Sequence, residues 1–234
     1  MNRLARLTMV FSILLAFLIA SPAVFHQKFG PYPLMEIGDV IDLFTPLLMI
    51  PLYWLLFQVD RQKAPTWRET LVFLILAAFW VEGQGMHLAA NSIGHQLKEM
   101  QGTDAQALTY FYDEFLSHYL WHFGLMGLSA LVIYRQWKHP FVGERSGLVI
   151  ESLAGFIHGL NYFTTILEGR TAPLGIPFAI LVTMFTLVWG RRKLRQQPLL
   201  AFFFVAYLVA TILFAAWAIY WGGLPELSQV GIIE

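Results

Sequence analysis

Histidines and carboxylates are concentrated in one part of an otherwise apolar chain. Six of the seven histidines lie between Trp80 and Glu168, in segments hydrophobic enough to occupy a bilayer. An ionisable side chain at the centre of a bilayer costs about 2.5 to 3.5 kcal/mol on translocon scales. A group of such residues therefore indicates a functional site.

The strongest local pattern is formed by Glu114, His118 and His122. Their spacings of four and four residues place them on one face of a helix. Two histidines one turn apart can chelate one metal ion, and a carboxylate one turn further can bind the ion or activate its water. Asp113 and Ser117 lie on the adjoining faces. We predict a metal site here, with Glu114 and Asp113 as its catalytic carboxylates.

Two neighbouring apolar segments contribute further histidines. His87 shares a helical stripe with Asn91, and His158 shares a face with Glu151, with Asn161 lying beside that face. At about 1.5 Å per residue, antiparallel helices would bring His118 and His158 near the bilayer centre, with His87 higher in the outer half and His122 lower. The predicted metal ligands are therefore His87, His118, His122 and His158.

Other polar residues are predicted to orient these ligands. Glu82 points away from the His87 stripe on a straight helix, but Gly83 and Gly85 would allow a bend that redirects it. The predicted supporting residues are Asn91, Ser117, Asn161, Glu82 and Glu151.

The ligand types favour zinc. The chain has no cysteine, which excludes thiolate zinc sites, iron–sulfur clusters and a cysteine nucleophile. Imidazole and carboxylate ligands suit zinc first, with iron, copper or haem as alternatives. A zinc-bound water with Glu114 or Asp113 as general base would hydrolyse a lipid or other amphiphile. We therefore expect a membrane-embedded, metal-dependent hydrolase.

Three other functions fit the same residues. Histidine pairs could ligate haem or a metal in a membrane electron carrier. The chain could instead be a subunit of a larger membrane complex. A relay through Glu114, His118 and His158 would suit a proton- or cation-coupled transporter.

The composition predicts the scaffold for this site. Hydrophobic residues make up 57% of the 234 residues, charged residues only 13%, and the mean hydropathy is +0.59, which is typical of a polytopic membrane protein. Nucleic acid is not expected as a partner. We predict an all-α protein with one domain of seven transmembrane helices, at about residues 5–25, 38–58, 67–92, 108–134, 147–167, 174–190 and 199–221. A cleaved signal peptide is the competing interpretation of the first segment.

The basic residues predict the orientation of these helices. Of the 15 lysines and arginines, 12 fall on one side of the predicted membrane and the remaining three on the other, which places the amino terminus in the cytoplasm and the carboxyl terminus outside. The cytoplasmic set is Arg3, Arg6, Arg61, Lys63, Arg68, Arg135, Lys138, Arg145, Arg191, Arg192, Lys193 and Arg195. The outer set is Lys28, Lys98 and Arg170. For a bacterial chain this orientation predicts the inner membrane, with the carboxyl terminus in the periplasm.

Overall fold

The computed structural model describes residues 3–59, 63–94, 97, 100–141, 147–194 and 196–232. Its secondary structure within these ranges is almost entirely helical. The helices are α1 (Arg3–Ala20), α2 (Ile37–Asp42), α3 (Phe44–Gln58), α4 (Trp67–Gly94), α5 (Asp104–Tyr110), α6 (His118–Lys138), α7 (Leu148–Glu168), α8 (Ala172–Phe185) and α9 (Pro198–Trp221). The π-helical segment Phe111–Ser117 joins α5 to α6, and a second one, Thr186–Gly190, extends α8.

The expected all-α, polytopic membrane fold is confirmed. Within the described ranges, six helical stretches are long and apolar enough to cross a membrane, and the 21-residue α7 is a seventh long helix. A helix satisfies its own backbone hydrogen bonds, which a bilayer interior cannot do. The six apolar stretches are Arg3–Ala20, Ile37–Gln58, Trp67–Gly94, Asp104–Lys138, Ala172–Gly190 and Pro198–Trp221.

The predicted outer end carries the one strand pairing seen in the described residues. A short antiparallel hairpin joins Lys28–Phe29 to Tyr32–Glu36, between α1 and α2. Four of the basic residues used to predict the orientation lie outside the described residues, and so does His95. These are Arg61, Lys98, Arg145, Arg195 and His95. The orientation of the chain in the membrane stays a prediction.

Two helix pairs approach closely at glycines. In α4 and α6, a Cβ added at Gly83 would meet the Ser117 carbonyl oxygen at 2.5 Å, and one added at Gly124 would meet the Leu76 oxygen at 2.7 Å. In α7 and α9, a Cβ at Gly155 or Gly159 would lie 2.5 Å from a backbone oxygen of α9. Small residues permit such contacts between membrane helices. The two pairs therefore hold the histidines of α4 and α6, and His158 of α7, on rigid supports.

A buried arginine ties three helices together at the predicted cytoplasmic end. The Arg135 side chain of α6 is fully buried, donates from Nε to the Phe57 oxygen of α3 at 3.0 Å, and donates from a terminal nitrogen to Glu69 of α4 at 2.9 Å. Arg135, one of the basic residues used to predict the orientation, thus has a structural role in the helix bundle. It fixes the ends of α3, α4 and α6 opposite the histidine site.

Candidate functional site

The π-helical segment before α6 positions the two predicted catalytic carboxylates. π-helical turns are often found at functional sites. Here the segment directs Asp113 towards α4, where its Oδ1 lies 2.8 Å from His87 Nδ1. The separation is that of an ion pair, although the ring N–H is not aligned with the oxygen for a hydrogen bond. Asp113 and His87 are therefore electrostatically paired across the helix interface. Ser117, at the end of the segment, donates its hydroxyl to the Asp113 backbone oxygen.

Three of the four predicted metal ligands form a continuous row of rings. The ring centres of His87 and His118 are 4.7 Å apart, and those of His118 and His122 are 5.8 Å apart with nearly parallel planes. Trp121 contacts all three rings, with centre distances of 4.7 to 6.3 Å. We call His87, His118 and His122 the histidine row. Its spacing within α6 was predicted, whereas its alignment with α4 depends on how the helices pack.

The turn between α7 and α8 closes over the inner member of the row. Thr171 Oγ1 lies 2.5 Å from His122 Nδ1. Gly169 is packed so tightly that an added Cβ would collide with the His122 ring. Thr171 was missed by the sequence analysis because it is 49 residues from His122, and no local pattern indicates that contact.

Each ring of the histidine row has its Nδ1 beside an oxygen. His87 Nδ1 faces the Asp113 carboxylate, His118 Nδ1 lies 3.2 Å from the backbone oxygen of Glu114, and His122 Nδ1 faces Thr171. A histidine that binds a metal through one ring nitrogen usually donates the N–H of its other ring nitrogen to such an oxygen. The remaining nitrogen is Nε2 in every case, and that of His122 is buried with no hydrogen-bond partner in the part of the chain that the structure describes.

Glu114 belongs to a separate ionic group at the outer end. Its carboxylate lies 3.8 Å from Arg170, which makes a two-point contact with Glu226 at 2.7 and 3.1 Å. Hydrogen bonding to Glu226 raises the pKa of Arg170 above its ordinary value. Arg170 also donates to the Tyr110 hydroxyl. This group connects Glu114 to the carboxyl-terminal segment of the chain.

A second buried carboxylate contacts α4 beside the row. Asp42 of α2 accepts a hydrogen bond from Gln84 at 2.6 Å and another from Thr45 at 2.6 Å. Gln84 in turn accepts from the Trp80 indole at 3.3 Å. Gln84 lies three residues before His87, so its position on the same face is a signal available in the sequence.

His158 lies in different surroundings from the row. Its ring is surrounded by aromatic rings at centre distances of 5.4 to 6.5 Å, and neither ring nitrogen has a hydrogen-bond partner among the described residues. These neighbours belong to α1 and α9. They are Phe11, Phe202, Phe203 and Tyr207. The structure thus does not bring His158 into ring contact with the other three predicted ligands.

The supporting residues divide between these two regions. Asn91 is half-buried on α4, and Glu82 is exposed on α4 with no ion pair to a described residue. Asn161 donates to the Ser12 backbone oxygen of α1 at 3.4 Å. Glu151 is buried in α7, and one of its oxygens has no hydrogen-bond partner among the described side chains and backbone. Within the described residues, no three His, Asp or Glu side chains lie close enough together to hold a metal ion.

The fold and the comparisons together define the class of protein. The chain is an integral membrane protein built of transmembrane helices. It is similar to ceroid-lipofuscinosis neuronal protein 6 of Homo sapiens, with 20% identity over 233 residues. The match covers 88% of this chain and 71% of the human protein. The homologous protein of Canis lupus familiaris is 22% identical over 230 residues, with the same two coverages.

The other two comparisons gave no match. No family model matches the chain, and no solved structure does. The names of the two similar proteins state no chemical activity.

Proposed function

We propose that this membrane protein binds a metal ion at the histidine row and hydrolyses a lipid or other amphiphile there. Zinc is the first candidate for the metal. The observation that supports this proposal is the shared arrangement of the three rings, each with Nδ1 beside an oxygen. If Nδ1 carries the proton in each ring, Nε2 is the nitrogen that would bind a metal. Iron and copper accept the same ligands.

Within the described residues the three rings do not form a ready-made metal site, but the spacing of adjacent rings is close to that of two imidazoles on one ion. Two imidazoles on one tetrahedral zinc, with Zn–N of about 2.0 to 2.1 Å, hold their ring centres roughly 5 Å apart. The observed 4.7 and 5.8 Å are near that value. The nearly parallel rings of His118 and His122 do not converge on one point, so binding requires one of them to rotate. His158 is not included in this site.

The Asp113 and Glu114 carboxylates would have different tasks in this reaction. A bound metal ion lowers the pKa of its water and so provides a nucleophile at neutral pH. Asp113 would orient His87, while Glu114, once released from Arg170, would take the proton from the attacking water and return it to the leaving oxygen of the substrate. The His87 and Asp113 side chains are 23% and 13% exposed, so a ligand can reach this side of the row.

The orientation of the chain in the membrane and its location in a bacterial inner membrane are further predictions.

The test is elemental analysis and an optical spectrum of the purified chain, with turnover of a fluorogenic lipid ester. We expect about one zinc per chain and no visible absorption. The double variant His118→Ala/His122→Ala should lose both the metal and turnover. His158→Phe is the matched control, because it removes an equally buried imidazole outside the row and should retain both.

Three outcomes would contradict the proposal. Full ester hydrolysis by metal-free wild type would exclude a metal-dependent reaction. A Soret band would show that the histidines hold haem and favour the electron carrier. Loss of metal in His158→Phe, with retention in the double variant, would place the site elsewhere.

A further inference from the structure

An open groove lies between α1 and α3 at the end of the helix bundle opposite the histidine row. Its volume is ≈ 610 Å³. One wall is the face of α1 that carries Arg3, Arg6 and Val10, and the other is the end of α3 that carries Leu55 and Gln58. The groove is therefore basic at one end and apolar along its length.

The two helices touch further into the membrane. Phe11 of α1 and Tyr53 of α3 are both fully buried, and their rings meet edge to face with centres 4.7 Å apart. This contact closes the space between the helices beyond Val10. A ligand in the groove would consequently occupy only the turns nearest the membrane surface.

The arginines of the groove carry charge that described residues do not neutralise. Arg3 and Arg6 are both exposed, and no described carboxylate forms an ion pair with either. Their spacing of three residues places them on one face of α1. Arg135, by comparison, is fully buried and paired with Glu69 at the same end of the bundle. As far as the described residues extend, Arg3 and Arg6 are thus available to an anion from outside them.

We propose that this groove binds one anionic phospholipid of the surrounding leaflet. The guanidinium groups match the phosphate in charge and hydrogen-bonding geometry, and the Gln58 amide can donate to a phosphate or ester oxygen. Val10 and Leu55, which are 51% and 44% exposed, form the apolar surface for an acyl chain. Basic pockets between membrane helices suit anionic head groups for this reason. The site is independent of the histidine row.

Native mass spectrometry of the purified full chain in detergent tests this assignment. Phosphatidylglycerol should bind the wild type at least tenfold more tightly than phosphatidylcholine. Arg3→Gln/Arg6→Gln should weaken phosphatidylglycerol binding by about tenfold or more, because each arginine near the surface adds a substantial attraction. Arg191→Gln/Arg192→Gln removes two exposed arginines from the same predicted side of the membrane and should leave binding within twofold of wild type.

A second variant tests the acyl-chain wall without a change of charge. Val10→Trp should fill the groove and weaken phosphatidylglycerol binding by a similar factor, with helicity unchanged by circular dichroism. Equal weakening by the Arg191/Arg192 control would show that the attraction is a general surface effect and overturn the proposal. Equal binding of the two lipids by the wild type would overturn it as well. Inorganic phosphate that displaced the lipid completely, with Val10→Trp unaffected, would show an anion site and not a lipid groove.

Discussion

His122 and His158 are both almost completely buried in membrane helices, yet their surroundings give them different chemistry. His122 is 0% exposed, has Thr171 at its Nδ1 and lies next to His118. His158 is 1% exposed and has four aromatic neighbours, and no described residue forms a hydrogen bond with either of its ring nitrogens. Burial alone therefore does not identify a ligand site. The groups at the two ring nitrogens distinguish a candidate ligand from a packed imidazole.

The contrast arises from the helix pair that each histidine occupies. α4 and α6 meet at Gly83 and Gly124, and both helices direct histidines into their interface. α7 and α9 meet at Gly155 and Gly159, but α9 has only apolar and aromatic residues to offer His158. Similar small-residue packing thus builds a polar interface in one pair and an aromatic one in the other.

The largest effect that distinguishes the two regions is expected from Thr171→Val. This change keeps the shape of the side chain but removes the oxygen beside His122 Nδ1. Loss of such an orienting partner typically weakens metal binding by about 10- to 100-fold. Competition with a calibrated zinc chelator measures the change.

Thr183→Val is the matched control for that experiment. The Thr183 hydroxyl is buried in α8 and has no hydrogen-bond partner within the described ranges, so its removal should leave zinc affinity unchanged. Equal weakening by both variants would mean that helix packing, and not the Thr171 contact, controls the affinity.

A smaller effect, about tenfold in zinc affinity, is expected from Asp113→Asn. The amide keeps the size of the carboxylate but removes the negative charge that faces His87. Glu151→Gln makes the same change at a buried carboxylate of α7, two turns before His158, and should alter neither zinc affinity nor turnover. If Asp113→Asn abolished turnover with zinc affinity intact, Asp113 would be the general base in place of Glu114.

The smallest effect is expected in stability. His158→Phe replaces a ring with two unpaired nitrogens by an apolar ring and should stabilise the fold by about 1 kcal/mol. His122→Phe should instead destabilise it by about 1 to 3 kcal/mol, since it leaves the Thr171 hydroxyl buried without its partner. Thermal unfolding in one detergent compares the two. A fall in midpoint for His158→Phe would show that His158 has a polar partner that stabilises it.

The sequence predicted the helices better than their contacts. An apolar run of about 20 residues has few alternatives to a membrane helix, and the stretch predicted at 67–92 is observed as Trp67–Gly94. The π-helical turn was not predicted, because it changes the direction of Asp113 without changing the hydrophobic pattern. Glu114, expected on the His118 face, is instead placed beside Arg170.

The sequence by itself determined that this protein spans a membrane as a helical bundle, and that His118 and His122 are one turn apart on the same helix. Both follow from local properties, the length of apolar runs and the helical repeat. Only the tertiary structure decided that His87 joins this pair, that Thr171 supports it and that His158 lies among aromatic rings. These contacts join residues far apart in the chain, and they depend on where glycines let the helices approach and on how each helix is rotated about its axis.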